Sequence, residues 1–332
     1  MKKLTTEETE KTVGSPESSV VKNLALIGCG QHAEIGHAIP LARYKAAHPR
    51  EIELVAACDV NLDRAKSFCA KYSFRAAYSD VDAMLAQERL DGCIMVVPPE
   101  KIPALAIKLL STGIPCVVEK PLGSSLSEVR ALRDAAAGKR NMVSVNRRFM
   151  PFLNRALEWT RGVGQIRHVR ASMLRHNRTE PEFIWATAVH AVDTLRYLCG
   201  EVQSHAIRRL NGGAGTAWYS MEFSFKNQST GRIDVLPTAG VVEETYELFG
   251  DGFRATVTSP FGPQPGWRAF RDGKLAAEET ATSDMPEDVL HGFYDEASAF
   301  IHSVRSGAEL NPTIADVAPS IEICFALAAL LG

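Results

Sequence analysis

The sequence has no CxxC pair, no uninterrupted apolar run of membrane-spanning length and almost no surplus of charge. Its seven cysteines (Cys29, Cys58, Cys69, Cys93, Cys116, Cys199 and Cys324) are odd in number and scattered, so neither a disulfide framework nor a metal site is expected. Several stand in the apolar runs 55–58 and 93–97, where a small thiol packs as a hydrophobe. Such usage points to a reducing cytoplasm. Thirty-seven Lys and Arg face 39 Asp and Glu, a formal net charge of −2. A balance so near neutrality leaves no electrostatic footprint for nucleic acid or an anionic membrane. The start of the chain lacks the apolar core of a signal peptide, so residues 1–21 read as a disordered tail. No membrane span is expected.

What is present is enough for two domains: 332 residues, 45% hydrophobic and 23% charged. From residue 23 short apolar runs (24–28, 53–58, 92–97, 116–119, 142–145) alternate with helix-length segments (33–47, 62–71, 81–87, 102–111, 126–136). That rhythm predicts a parallel, doubly wound sheet, with the first helix bent or restarted near Gly36 and Pro40. After residue 147 the rhythm changes. Helices are predicted at 152–160 and 186–199, and strands at 165–173, 206–210, 217–225, 231–236, 246–249 and 253–258. Strands in succession predict an α/β domain with a largely antiparallel open sheet, closed by helices at 293–304 and 314–331. The expected division is a doubly wound domain over 22–146 and a largely antiparallel one over 147–332. An uncovered sheet face would make a homodimer or homotetramer natural.

Gly28-Cys29-Gly30-Gln31-His32-Ala33 is a G-x-G-x-x-A loop between an apolar strand and a helix. The first glycine permits a tight turn, the second lets backbone approach a pyrophosphate, and the alanine allows close helix packing. Phosphate then meets the unpaired N–H groups of a helix N-terminus. Asp59 ends the second strand, where a carboxylate accepts bonds from ribose hydroxyls. This favours NAD. Arg64, one turn on, leaves NADP open.

Beyond that loop, Val97-Pro98-Pro99, Glu119-Lys120-Pro121, Asn146-Arg147-Arg148-Phe149 and His190-Ala191-Val192-Asp193 follow in order. From about residue 22 to the C-terminus this combination resembles the glucose–fructose oxidoreductase / inositol dehydrogenase / MocA family. The resemblance implies a Rossmann domain followed by an α/β domain, a nicotinamide between them, and sugar or cyclitol substrates. It implies Lys120 as the catalytic lysine, with Glu119 beside the nicotinamide and His190 exchanging a proton with the substrate hydroxyl. Val97 and Pro98 fall on cofactor-side positions, and Asn146 and Arg147 on the rim of the shared pocket. Histidine titrates near neutral pH and suits the proton transfer, while a lysine stabilises charge on the oxygen as the carbonyl forms.

The substrate half departs from the family pattern. Ala186 stands where many members place an aspartate, and Ile102 where many place a histidine. His176, Asp193 or Thr187 would then share that work, and Trp185 could stack on a sugar ring or simply belong to the core. Asp193 could orient His190 or only solvate its helix. Arg147, Arg148, Arg175, His176 and Arg178 could meet an acidic or phosphorylated substrate, or be ion-paired surface. The expected activity is an NAD(P)-dependent oxidoreductase acting on a secondary alcohol of a sugar, cyclitol or polyol. Two other readings remain: retained NAD serving elimination or glycoside cleavage by transient oxidation, and a catalytically silent dinucleotide-binding sensor.

Overall fold

The computed structural model describes residues 20–210 and 216–331. The expected tail at 1–21 therefore lies almost wholly outside the described residues. Six parallel strands form the first sheet: β1 (Lys22–Ile27), β2 (Ile52–Cys58), β3 (Ala76–Tyr78), β4 (Gly92–Met95), β5 (Cys116–Glu119) and β6 (Asn141–Ser144), in the order β3-β2-β1-β4-β5-β6. The apolar runs are buried on both faces because helices cover both sides, which is why these strands read as continuous rather than alternating. The strand order reverses between β1 and β4, and ligands bind at the carboxyl ends of such a switch point.

The first helix does change character where Gly36 and Pro40 suggested. A short α-helical start at Gln31–Ala33 passes through a π turn, Glu34–Ala38, into Ile39–Ala47. The extra residue of a π turn rotates the following side chains relative to an α-helix.

The second sheet has eight strands: β7 (His168–Leu174), β8 (Val202–Leu210), β9 (Trp218–Phe225), β10 (Thr230–Leu236), β11 (Glu243–Gly250), β12 (Phe253–Thr258), β13 (Gly266–Arg271) and β14 (Lys274–Thr280). Their order is β14-β13-β12-β11-β7-β10-β9-β8, antiparallel except for the β7–β10 pair. β13 and β14 were not anticipated, although Asp272-Gly273, with both φ positive, supplies the turn residues of a two-residue hairpin. Val169, Ala171 and Met173 of β7 point inward, with the helix Val189–Cys199 over β7 and Pro151–Val163 over β12 and β13, while Arg170, Glu222 and Arg254 are exposed on the opposite side.

Strands β1–β6 precede residue 147 and β7–β14 follow it, whereas the last helices return across that point. Ala297, Phe300, Ile301 and Val304 of Phe293–Ser306 pack into one core with Leu24, Leu26, Ile52 and Leu41. The chain thus returns to its first domain, a connection that local periodicity cannot announce. The helix Ile314–Leu331 is long and apolar enough to cross a membrane by length and composition. It instead buries Ile314, Val317, Ile321, Cys324 and Leu327, and its Glu322 accepts a 2.7 Å bond from Arg133.

Candidate active site

The glycine loop folds for reasons visible in its own backbone. Gly28 has φ +90, and a Cβ there would lie 1.8 Å from the Val96 carbonyl oxygen, so only glycine fits. A Cβ on Gly30 would meet nothing within 4 Å, leaving the backbone open toward a cavity. Asp59 holds this loop directly: its carboxylate accepts from Cys29 N and Asn61 N, both at 2.8 Å, with Arg64 Nη1 3.4 Å away.

Two cavities meet here. One of about 720 Å³ is bounded by Gly28, Asp59, Arg64, Pro98, Lys101 and Lys108 among others. The other, about 290 Å³, is bounded by Gly30, His32, Ala33, Glu119 and Lys120. They share Gly30, Val96, Val97 and Pro98 as a common wall, so one extended ligand can lie across both. These features fit a dinucleotide, for which Asp59 would face a ribose, the Gly30 backbone the pyrophosphate, and Glu119 and Lys120 the nicotinamide end. Gln31 starts the helix at the loop.

Glu119 is buried and shared by two imidazoles. Nε2 of His32 and of His37 lie 3.1 and 2.8 Å from its Oε1. Burial alone would raise its carboxyl, but the two histidines outweigh that and hold it well below the ordinary carboxylate range. Among the described residues these three also form a group of ligand-type atoms within 4.8 Å, a juxtaposition that no sequence spacing indicated. His37 was missed because residues five apart diverge on an α-helix; the π turn brings it to the same side as His32.

Lys120 leaves the end of β5 and donates a 3.1 Å bond to the Ala186 carbonyl. Burial shifts its ammonium below its usual pKa, with Arg147 and Arg178 adding to the effect and Glu119 opposing it. His190 is 8% exposed on the helix Val189–Cys199. Burial, then Arg147 and Lys120, hold its imidazolium well below the usual range. Its Nδ1 is enclosed without a partner, so the ring meets its surroundings through Nε2.

The remaining predicted residues separate. Asn146 is buried, donates 2.7 Å to the His291 carbonyl and accepts 2.9 Å from Arg147. Arg147 and Arg175 both donate to the fully buried Glu244. Arg148 pairs with Asp193. Arg178 pairs with Glu180 and reaches Thr187 Oγ1 at 3.3 Å. His176 is exposed, apart from this buried group. Trp185 stacks on Phe325 at 5.2 Å and is thereby turned toward the C-terminal helix. Glu244, Phe261 and His291 were not singled out from the sequence; each is brought in by sheet register or by a turn rather than by a motif.

Residues 22–147 match the description "Oxidoreductase family, NAD-binding Rossmann fold". The chain is similar to 4-carboxy-2-hydroxymuconate-6-semialdehyde dehydrogenase of Sphingobium sp., 25% identical over 283 residues, 80% of this chain and 87% of the relative. It is also similar to UDP-N-acetylglucosamine 3-dehydrogenase of Acidithiobacillus ferrooxidans, 25% identical over 63% of this chain and 66% of the relative. Its fold matches an oxidoreductase from Agrobacterium radiobacter solved with NAD+, L-tartaric acid and magnesium, with a TM-score of 0.75 and 19% identity over 93% of this chain and 94% of that one.

Proposed function

Since this chain belongs, through residues 22–147, to the Gfo/Idh/MocA oxidoreductase family, we propose that it is a dehydrogenase acting on a secondary CH–OH group of a sugar, cyclitol or related polyol. His190 is the proton acceptor and Lys120 the group that holds the substrate oxygen. The observation that carries this reading is that Lys120 lines the cavity that fits a nicotinamide and that its charge acts on His190, a buried histidine disfavoured as a cation.

Asp59, the loop from Gly28 to Ala33, Val97, Pro98 and Glu119 would hold the dinucleotide. When bound, it supplies the hydride acceptor. The chain's own residues do the rest. His190 is neutral at physiological pH and takes the hydroxyl proton at Nε2. Lys120, fixed by the Ala186 carbonyl, presents its remaining N–H groups to the oxygen and stabilises negative charge developing there. The Ala186 side chain offers no hydroxyl ligand, so substrate orientation falls to the neighbouring Asn146, Arg147 and Arg175. A nucleotide sugar and a carboxylated semialdehyde are named for two relatives, which supports a polar, oxygen-rich substrate.

The test is cofactor binding by the purified protein, NAD against NADP, followed by a polyol and sugar panel read as NADH absorbance. Tight dinucleotide binding with turnover is expected. Binding without turnover on any CH–OH substrate would overturn the dehydrogenase reading.

A further inference from the structure

Glu119 and Ser144 are register partners on β5 and β6, so Lys120 and the Asn146–Arg147 turn leave the sheet side by side. Glu244 on β11 lies opposite Met173 on β7, two residues before Arg175. These two registers bring two guanidiniums onto one carboxylate. Arg147 donates to Glu244 from Nε at 3.2 Å and Nη2 at 2.8 Å, and Arg175 donates to the same Oε1 from Nη2. All three side chains are at most 7% exposed.

The other charges nearby are already matched. Glu119 faces Lys120 and is held by two histidines, and Arg178 pairs with Glu180. Glu296 also faces Arg147, but burial pushes its carboxyl up to about 8, so at neutral pH it is protonated and contributes no counter-charge. Burial likewise pushes His291 down to about 4, leaving it neutral. One buried positive charge is left over, and burying an unmatched charge is costly.

Donors are in surplus too. Two guanidiniums carry ten N–H groups. Arg147 makes three side-chain bonds, to Glu244 twice and Asn146, and Arg175 makes three, to the Leu174 and Glu243 carbonyls and Glu244. The Phe261 ring covers both guanidiniums, at 4.7 and 5.3 Å, and His291 closes on that ring at 4.6 Å with its Nδ1 enclosed and unpartnered.

We propose that Arg147 and Arg175 form an anion subsite and that the substrate carries an acidic oxygen group, carboxylate or phosphoryl, seated on their unspent donors. The proposal rests on Lys120 and His190 being the reacting pair, which places this subsite beside that pair, since the charge of Arg147 acts on both. Planar guanidiniums bind such groups bidentately and confer orientation as well as charge.

The experiment compares neutral polyols and aldoses with the matching aldonates, uronates and sugar phosphates, read as NADH and, separately, as thermal stabilisation of the NAD-loaded protein. A preference for the acids of about tenfold or more in kcat/KM is expected, and the carboxylate and phosphate arms identify the group. Arg175→Gln leaves a one-to-one Arg147–Glu244 pair, so the fold should tolerate it. It should abolish the preference while NAD affinity stays unchanged. Turnover of neutral substrates at least as good as of acids would overturn the subsite and leave the dehydrogenase reading standing. Stabilisation by acids alone, abolished in Arg175→Gln but without turnover of any compound, would support the subsite and sink the dehydrogenase reading. Neither turnover nor stabilisation overturns both.

Discussion

Arg148 donates two near-parallel hydrogen bonds, 2.8 Å from Nε and 2.7 Å from Nη2, to the carboxylate of Asp193. Ser320 adds a third at 2.8 Å to the same carboxylate. Asp193 lies one turn beyond His190, yet its oxygens face away to Arg148 and the C-terminal helix. The bond set ties the turn after β6, the histidine helix and the helix Ile314–Leu331 together. Asp193→Asn should therefore act on stability, costing about 3 kcal/mol because a buried arginine loses its counter-charge. Denaturant melts would show the loss. The pH profile of the surviving activity should stay in place; a displaced profile would mean that Asp193 tunes His190.

Under the proposed function His190 governs the acid side of the activity. Its folded pKa is lowered well below 6.5, so the neutral base persists down to that value and activity is lost only as pH falls through it. The kcat/KM profile for alcohol oxidation should be level through neutrality, with its acid limb below pH 6.5. His190→Ala should lower kcat by about 10²–10⁴ and remove that limb. A limb that survives the substitution would assign the base elsewhere.

Lys120→Ala should lower kcat by about 10²–10³ while leaving dinucleotide affinity within a few fold, because under the proposed function the lysine acts on charge at the substrate oxygen. Isothermal titration with NAD alongside steady-state rates separates the two quantities. Unchanged turnover would remove Lys120 from the chemistry.

Asp59 both supports the glycine loop, through Cys29 N, and faces the larger cavity. Arg64 stands 3.4 Å from it, half exposed. Asp59→Ser removes the like charge that a 2′-phosphate would meet and frees Arg64 to bind one. The NAD to NADP preference should shift toward NADP by about tenfold or more, an effect on the order of 1.4 kcal/mol. Equal weakening for both cofactors would show that loop support is Asp59's main work.

Glu296 accepts from Ser144 Oγ at 2.8 Å and Val145 N at 2.7 Å, yet burial raises its carboxyl from 4.5 to about 8. Below pH 4.5 both folded and unfolded chains hold the proton, and the group has no effect on stability. Between about 4.5 and 8 the unfolded chain releases a proton that the folded chain keeps, so stability falls as pH rises and levels off above 8. At pH 7 the penalty is about 3 kcal/mol as an upper figure. Glu296→Gln should flatten this part of the pH–stability curve and raise stability at neutral pH, as measured by urea midpoints across pH 5–9. An unchanged slope would place the titration elsewhere.

The sequence by itself determined whatever depends on neighbours along the chain. The period of the apolar runs specified five of the six parallel strands of the first sheet, because burial on both faces leaves an unmistakable local pattern; β3, only three half-buried residues, carries no such pattern. Gly28 and Gly30 marked the glycine loop, since a tight turn and a bare backbone each demand glycine in place. Lys120 and His190 entered as candidates through the family resemblance, and they stand just after β5 and in the first turn of the helix Val189–Cys199. Tertiary structure alone decided the partners. The π turn brought His37 to Glu119, sheet register set Glu244 between Arg147 and Arg175, and the returning helix Phe293–Ser306 delivered Glu296 to β6. Those contacts join residues roughly 70 to 150 positions apart, and charge balance in a buried site is a sum over space that no local spacing encodes.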